Sequence, residues 1–499
     1  MAASQSNGQG ASVKGAKLLK RVMSDFIGLN TTYPLASGGQ SRRVYLDSTA
    51  STLMMGVAQQ AIGAMLEHYA NTHSLLHNSA RLATSNYRWA HERMLSFVGA
   101  DPDIYTAYFT GSGATAGMNR LARLFKELRP DRDTALVSIM EHHSNDLPHR
   151  KHLGRVVHLP NKMRVGSVDL VALEALLEQE QGRVNYIAVT GVSNVTGIIN
   201  PIHEIAKLAH KYDAFILVDA AQMVAHIPVQ MSGRDDPEEN IDALVFSGHK
   251  TYVPGSPGVV VARLDHLMQT EPVEVGGGMV ARVLVDHYSV TNKFPDREEA
   301  GTPNIPGAIG LATAIEVLDR IGMQLLYDEE EQLLAYALEQ MMSVPGVIIY
   351  GDPDIKACPR VSAISFNVGD KHHSIVAAIL NDYHNIAVRN ECFCAHPYVI
   401  EMMPEETADF VALSDEAVID LQAPKPGMVR ASFGLYNTRA DIDRLRTALE
   451  DIQQNFDQYA PLYEIGGSDH EYQHTSFEAA GEATFNIPGM LDSLLTRDP

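Results

Sequence analysis

Short apolar runs alternate with helix-like patterns along the chain from about residue 45 to residue 305. Residues 188–190, 215–218 and 258–261 form such runs, rich in β-branched side chains, and these are typical of strands buried on both faces. This alternation predicts an α/β fold with a mostly parallel sheet that is covered by helices on both faces. Between the runs, apolar residues recur with the period of a helix, in the sets Ile202, Ile205, Leu208, Ala209 and Met118, Leu121, Leu124, Phe125, Leu128.

From about residue 306 the pattern changes to longer helical stretches mixed with short apolar runs. This mixture predicts a second, smaller α+β region. The predicted elements are helices around 308–344, 372–382 and 438–456, and short strands near 347–350 and 362–366.

The change of pattern suggests a division of the chain into four parts. A large domain is predicted over 45–305 and a small C-terminal domain over 306–460. Residues 1–44 are expected to pack on the small domain, with the first two dozen residues, rich in Ser, Gly and Lys, forming a loose arm. Residues 461–499 form a polar tail.

Composition narrows the class of protein. The chain has 499 residues and a formal net charge of −22, which argues against a nucleic-acid partner because phosphate backbones require a basic surface. Its three cysteines, Cys358, Cys392 and Cys394, are too few for a disulfide framework, so we expect a reducing, cytoplasmic compartment. No apolar stretch has membrane-spanning length, and no membrane partner is expected.

Two charged residues follow apolar runs in the middle of the chain. Lys250 comes four residues after Phe246, which ends an apolar run, and Asp219 directly follows another such run. A lysine whose pKa is lowered can form a Schiff base, and a buried carboxylate needs a partner such as the pyridinium nitrogen of pyridoxal phosphate (PLP). The alternatives are a solvated surface lysine and an aspartate that caps a helix. Their placement at successive strand ends favours PLP.

A glycine-rich run precedes one of the helical patterns. Residues 111–115 read Gly-Ser-Gly-Ala-Thr, and glycines permit the tight turn that presents the free N–H groups of a helix start to a phosphate. Ordinary turns have the same composition. The run therefore predicts a phosphate site only together with Lys250 and Asp219.

A pair of histidines is a further candidate for the functional site. Residues 141–145 read Glu-His-His-Ser-Asn, and a histidine after a strand can stack on an aromatic cofactor or act as an acid or base. The alternative is a structural hydrogen-bonding role. The pair also raises the question of a metal, but no carboxylate–histidine set accompanies it, so no metal is expected.

Two of the cysteines are a fourth candidate for the functional site. Residues 388–394 read Val-Arg-Asn-Glu-Cys-Phe-Cys, and a spacing of two places both thiols on one face of a strand or together on a loop. A zinc site would require a second pair of ligands, and a lone thiol is commonly core filler. A thiol on a polar loop near an arginine is instead a candidate thiolate nucleophile.

Seven stretches of the chain, in this order, resemble the class V aminotransferase family of PLP enzymes, and within it the SUF-type cysteine desulfurases and selenocysteine lyases. The resemblance runs from Tyr45 to Leu449 and implies a type I PLP-dependent transferase fold, with a mostly parallel sheet of the seven-stranded type in the large domain and a smaller α+β C-terminal domain. The stretches are Tyr45-Leu46-Asp47-Ser48, Met140-Glu141-His142-His143-Ser144-Asn145, Val192-Ser193-Asn194-Val195-Thr196-Gly197, Val218-Asp219-Ala220-Ala221-Gln222, Phe246-Ser247-Gly248-His249-Lys250, Glu299-Ala300-Gly301-Thr302-Pro303-Asn304 and Arg430-Ala431-Ser432-Phe433-Gly434-Leu435-Tyr436-Asn437.

The resemblance implies a role for each matching residue. Lys250 would carry PLP as an imine and move the Cα proton of the substrate, Asp219 would pair with the pyridinium nitrogen, and His142 would stack on the ring. Arg430, with Arg389 and Asn194, would bind the substrate, and Cys394 stands where desulfurases carry the cysteine that accepts sulfur. The other implied cofactor contacts are Ala114, Thr115, Asn194, Gln222, Ser247, His249 and, from the second subunit of a homodimer, Thr302.

The implied reaction converts L-cysteine to L-alanine and leaves the sulfur on Cys394 as a persulfide, from which a sulfur-acceptor protein could take it. Cys392 is expected to be an inert neighbour, and the alternative is that it receives the sulfur next. The family's Gly-His-His before the cysteine reads Glu391-Cys392-Phe393 here, and Ser74 replaces an arginine. These departures leave open an aminotransferase, epimerase or lyase, including a selenocysteine lyase, that acts on another amino acid without the thiol. A scaffold protein of the same fold is disfavoured by the intact lysine, aspartate and histidine.

The stretch between Cys394 and Arg430 is longer than SUF-type enzymes usually have. It carries acidic residues at 405–406 and 415–416. Because long insertions in compact domains are commonly functional, we expect a lid or a partner-docking element, with a peripheral insertion as the alternative.

Overall fold

The computed structural model describes residues 13–164, 166–419, 425–466, 471–477 and 486–495. The strands are β1 (Thr32–Pro34), β2 (Gln40–Arg42), β3 (Val44–Tyr45), β4 (Tyr105–Thr110), β5 (Thr134–Ser138), β6 (Arg155–Leu159), β7 (Val184–Thr190), β8 (Phe215–Asp219), β9 (Ala243–Ser247), β10 (Gly258–Arg263), β11 (Val280–Val283), β12 (Tyr288–Val290), β13 (Val347–Ile349), β14 (Ala363–Val368), β15 (Ile386–Ala387), β16 (Arg389–Glu391), β17 (Met428–Ser432), β18 (Tyr463–Gly466) and β19 (Glu471–His474). The helices are α1 (13–22), α2 (Gly56–Glu67), α3 (Asn78–Phe97), α4 (Gly113–Leu128), α5 (Leu147–His152), α6 (Leu170–Gln179), α7 (Ile202–Lys211), α8 (Leu264–Met268), α9 (Ile305–Ile321), α10 (Met323–Met342), α11 (His373–His384), α12 (His396–Met402), α13 (Ala408–Val411), α14 (Asp415–Ile419), α15 (Arg439–Tyr459) and α16 (Ile487–Leu495).

A seven-stranded sheet confirms the predicted α/β fold class. Its order is β4-β10-β9-β8-β7-β5-β6, and β10 is antiparallel to both neighbours while the other pairs are parallel. Ala107 and Phe109 pack in the core on one face, and Tyr108 between them packs on the other. Burial on both faces explains why these strands appear in the sequence as unbroken apolar runs.

The second region is built on an antiparallel sheet of order β13-β14-β17-β16. Helices α10, α11 and α15 supply its separate core, in which Leu338, Ile379 and Leu445 pack with Phe366 of β14. The helices and strands predicted from the pattern beyond residue 306 are confirmed, with boundaries that differ by a few residues. Strand β3 pairs in parallel with β15, and Val44 and Leu46 lie in the core of this region, so the chain around β3 joins it. We keep the division at residues 305 and 460 as a proposal.

The expectation of a loose arm is wrong for residues 13–22, which form α1. Leu19 and Val22 lie one helical turn apart and are both buried, together with Phe26. Two apolar positions at helical spacing outweigh a polar composition when a groove is available to bury them. Residues 1–12 lie outside the described part of the chain.

The tail contains a hairpin of β18 and β19 beyond the last long helix. Glu471 of this hairpin accepts hydrogen bonds from Ser374 Oγ at 3.1 Å and from Asn390 Nδ2 at 3.3 Å. The hairpin therefore packs beside β16, the strand that leads into the cysteine loop. Among the residues that the structure describes, no helix combines the length and the apolar character needed to cross a membrane.

Candidate active site

A cavity of about 690 Å³ lies at the edge of the large sheet where β5, β7, β8 and β9 end. Side chains brought to one edge by parallel strands come from distant parts of the sequence, and this edge is where α/β folds bind ligands. Of the residues predicted for the site, the cavity is lined by Ala114, Thr115, His142, Asn194, Asp219, Gln222, Ser247, His249, Lys250, Arg389, Cys394 and Arg430.

Lys250 and Asp219 form the charged centre of the cavity, where Asp219 is buried and Lys250 is half-buried. Lys250 ends a short turn after β9, and burial lowers its pKa to about 8, although the charge of Asp219 opposes that shift. Asp219 is the last residue of β8, and burial raises its pKa. Its carboxylate accepts a hydrogen bond from Ala221 N–H at 2.9 Å, within a turn rather than at a helix start. The arrangement offers a nucleophilic amine and a buried anion for a cation.

The start of α4 faces the other end of the cavity. Gly113 has φ +59°, and a Cβ there would approach Ser247 Oγ to 2.8 Å, so the turn requires glycine. Ala114 N–H donates to Ser247 Oγ at 2.7 Å, and the hydroxyls of Thr115 and Ser144 share a hydrogen bond of 2.7 Å. Hydroxyls gathered at a helix N-terminus suit a phosphate group.

His142 lies between these two ends and is held neutral. Its Nδ1 accepts a hydrogen bond from Ser144 N–H at 3.1 Å, and burial, with the nearby charge of Lys250, lowers its pKa to about 3. A neutral imidazole ring in the lining of a cavity can lie against the aromatic ring of a cofactor. Within the described ranges, no group of three or more His, Cys, Asp or Glu side chains is placed to hold a metal ion.

Arg430 projects from β17 and is buried. Its Nη1 donates to Asn194 O at 2.8 Å, and its Nη2 forms an ion pair with Asp47 Oδ1 at 3.3 Å. The ring of Phe393 lies 4.6 Å from the guanidinium carbon. Sequence reasoning gave neither Asp47 nor Phe393 a role in the site. The signal for Asp47 was an acidic residue directly after an apolar run, within one of the stretches that carry the resemblance.

The two cysteines of the loop have different surroundings. Strand β16 ends at Glu391, and Cys394 is exposed and lines the cavity. Cys392 is buried, its Sγ donates to Pro426 O at 3.4 Å, and burial raises its pKa to about 12. Of the two arrangements open from the sequence, the loop is correct, and of these two thiols Cys394 alone lines the cavity.

Thr302 does not line the cavity of its own chain. Its hydroxyl accepts a hydrogen bond from Asn71 Nδ2 at 3.0 Å on an exposed surface. Its contact with the cofactor of a second subunit stays a prediction.

The long stretch after Cys394 has two parts. Tyr398 and Val399 of α12 are fully buried, and Tyr398 Oη shares a hydrogen bond of 3.2 Å with Thr196 Oγ1. Helix α13 contains no buried residue. The first part is therefore packed core, and the role of the second part as a lid or docking element stays a prediction.

Comparison with known proteins shows which families and structures the chain is similar to. Residues 44–445 match the family described as Aminotransferase class-V. A cysteine desulfurase of Escherichia coli O127:H6 is 33% identical over 419 residues, which cover 82% of this chain and 93% of that protein. The apo structure of a cysteine desulfurase from Thermococcus onnurineus NA1 superposes with a TM-score of 0.72 at 30% identity, covering 83% of this chain and 95% of the other. The structure of the cysteine desulfurase CsdA of Escherichia coli, in an S-sulfonic acid form, superposes with a TM-score of 0.69 at 27% identity. The superposition covers 84% of this chain and 95% of the other.

Proposed function

The chain belongs to the class V aminotransferase family, and from this premise we propose that it is a PLP-dependent cysteine desulfurase. It converts L-cysteine to L-alanine and transfers the sulfur to Cys394. The observation that carries the proposal is that the exposed thiol of Cys394 lines the same cavity as Lys250 and Asp219. A scaffold or a simple aminotransferase has no use for that thiol.

The residues of the cavity fit PLP. Lys250 would hold the cofactor covalently, Asp219 would pair with its ring nitrogen, and His142 would lie against the ring. A Cβ at Gly113 would crowd Ser247 Oγ, so glycine there lets the helix start lie close to that hydroxyl, and Ser247 and the helix start would bind the phosphate. When bound, PLP supplies an electron sink for the charge that develops at Cα of an amino acid.

Residues of the chain itself bind the substrate, move the proton and accept the sulfur. Arg430 binds the substrate carboxylate through its two-pronged guanidinium, with Asn194 and Arg389 beside it. Lys250, once released, takes the Cα proton, a task suited to an amine whose pKa is lowered to about 8. The Cys394 thiolate attacks the substrate sulfur. An S–S bond forms, the C–S bond breaks, and its electron pair stays with the carbon skeleton, which is protonated to alanine.

Substitution of Arg430 tests the substrate contact. Arg430→Lys is expected to raise the KM for L-cysteine about ten- to hundredfold, because a single ammonium cannot bind a carboxylate in two-pronged fashion. The steady-state KM of the holoenzyme measures this effect. Arg183→Lys, a change at an exposed arginine, serves as the control. An unchanged KM for Arg430→Lys would mean that another group binds the carboxylate.

We also propose a homodimer in which Thr302 of each subunit contacts the cofactor phosphate of the other. Thr302→Ala is expected to weaken PLP binding about fivefold through the loss of one hydrogen bond to an anion. Mixing Thr302→Ala and Lys250→Ala subunits should restore normal affinity in the one site of each heterodimer that has both residues. Absorbance titration and sedimentation measure this. Monomers that retain PLP and turn over would refute the dimer.

A cytoplasmic location and a sulfur-acceptor protein stay predictions.

A further inference from the structure

The loop that carries Cys394 has a backbone that side chains rarely adopt. Glu391, Phe393 and Cys394 have φ values of 83°, 52° and 57°, in the left-handed region that favours glycine. Each such residue costs roughly 1 kcal/mol or more and persists only where its surroundings fix it. Contacts from outside the loop must therefore maintain this conformation.

Hydrogen bonds to the loop carbonyls supply part of that support. His143 N–H donates to Cys394 O at 2.7 Å, and Asn194 Nδ2 donates to Phe393 O at 2.8 Å. Both donors lie on loops that follow strands of the large sheet. The cysteine loop is thus attached to the rigid part of the molecule on the cavity side.

A pair of histidines attaches the far end of the loop. The rings of His143 and His396 are nearly parallel, 7° apart, with centroids separated by 4.9 Å. His143 Nε2 lies 3.4 Å from the backbone nitrogen of His396 and 3.0 Å from its Nδ1. His396 stands two residues after Cys394, and His143 directly follows His142 of the cavity wall.

The contacts determine which ring nitrogen of this pair carries the shared proton. A backbone N–H can only donate, so His143 Nε2 is the acceptor, and the proton between the rings is carried by His396 Nδ1. Burial lowers the pKa of both imidazoles, and the neighbouring His396 lowers that of His143 further. Because its Nε2 accepts both hydrogen bonds, His143 carries no proton on that nitrogen.

We propose that His143 and His396 are positioning residues, which hold the strained Cys394 loop so that its thiol faces the cavity. The proposal rests on the proposed function only for what Cys394 does there. Neither ring is required to exchange a proton with the substrate; His396 acts as a hydrogen-bond donor and His143 as an acceptor. Any side chain that reproduces the donor should replace His396.

Two substitutions of His396 separate this role from others. In holoenzyme, His396→Ala removes the side-chain donor and should speed amide hydrogen exchange in the peptide spanning residues 391–396 about tenfold. The kcat for L-cysteine should fall by a similar factor with little change in KM, because Arg430 still binds the carboxylate. His396→Gln, whose amide can donate to His143, should stay within about twofold of wild type in both measurements.

The acceptor side provides a second test that does not depend on one variant folding. His143→Leu should reproduce the effects of His396→Ala, and the double variant should be no worse than either single one, because both remove the same hydrogen bond. Unchanged exchange and kcat in both single variants would overturn the proposal. Equal damage from His396→Gln and His396→Ala would also overturn it. Exchange is measured without turnover, so a protein that makes no sulfide can still show the predicted loop protection.

Discussion

Lys250→Ala protein is expected to lose at least about 10⁴-fold in turnover of L-cysteine, because one substitution removes both the covalent attachment of the cofactor and the base that moves the Cα proton. Lys250 is the single lysine among the described residues that line the cavity. Its burial and its lowered pKa suit both roles.

The measurement for Lys250 has a spectroscopic readout besides activity. Wild-type protein loaded with PLP should show a visible absorbance band that borohydride removes, and Lys250→Ala should lack it. Lys211→Ala, at an exposed lysine that pairs with Glu174, is the matched control and should keep the band. A band in Lys250→Ala that remains sensitive to borohydride would show that a different amine carries the cofactor.

Cys394→Ala is expected to lower the production of alanine and sulfide from L-cysteine about hundredfold or more, while the cofactor band remains. In the proposed function its thiol is the nucleophile that accepts the sulfur, and no other described cysteine lines the cavity. Removal of a nucleophile leaves only slow, uncatalysed release of sulfur.

Cys392→Ala is the control that the chain itself offers. Cys392 lies two residues away, but it is buried and its pKa is raised to about 12, so the thiolate that chemistry requires is scarce. Its loss should leave both products within a fewfold of wild type. Alanine and sulfide are measured in the presence of a reductant. Equal loss in both variants would contradict the assignment of Cys394 as the acceptor, and sulfide production by Cys394→Ala at the wild-type rate would contradict a thiol mechanism.

Local pattern was enough to predict most of the architecture. Strands buried on both faces must be apolar along their whole length, so runs such as 215–218 identified the sheet, and the residues that end them identified its ligand-binding edge. Lys250 and Asp219 were predicted in this way from the residues themselves. Arg430 was predicted through the resemblance alone, since nothing in its local sequence distinguishes it from an ordinary buried arginine.

The sequence by itself determined the α/β order, the glycine turn at Gly113 and the identity of the charged groups that meet at the sheet edge, because each depends on neighbours along the chain. Only the tertiary structure decided which thiol faces the cavity. A spacing of two would place both on one face of a strand, but left-handed residues at Phe393 and Cys394 turn them apart. It also decided that Asp47 pairs with Arg430 and that His143 meets His396. These contacts join residues hundreds of positions apart, and their formation depends on how the two regions pack, which local periodicity does not encode.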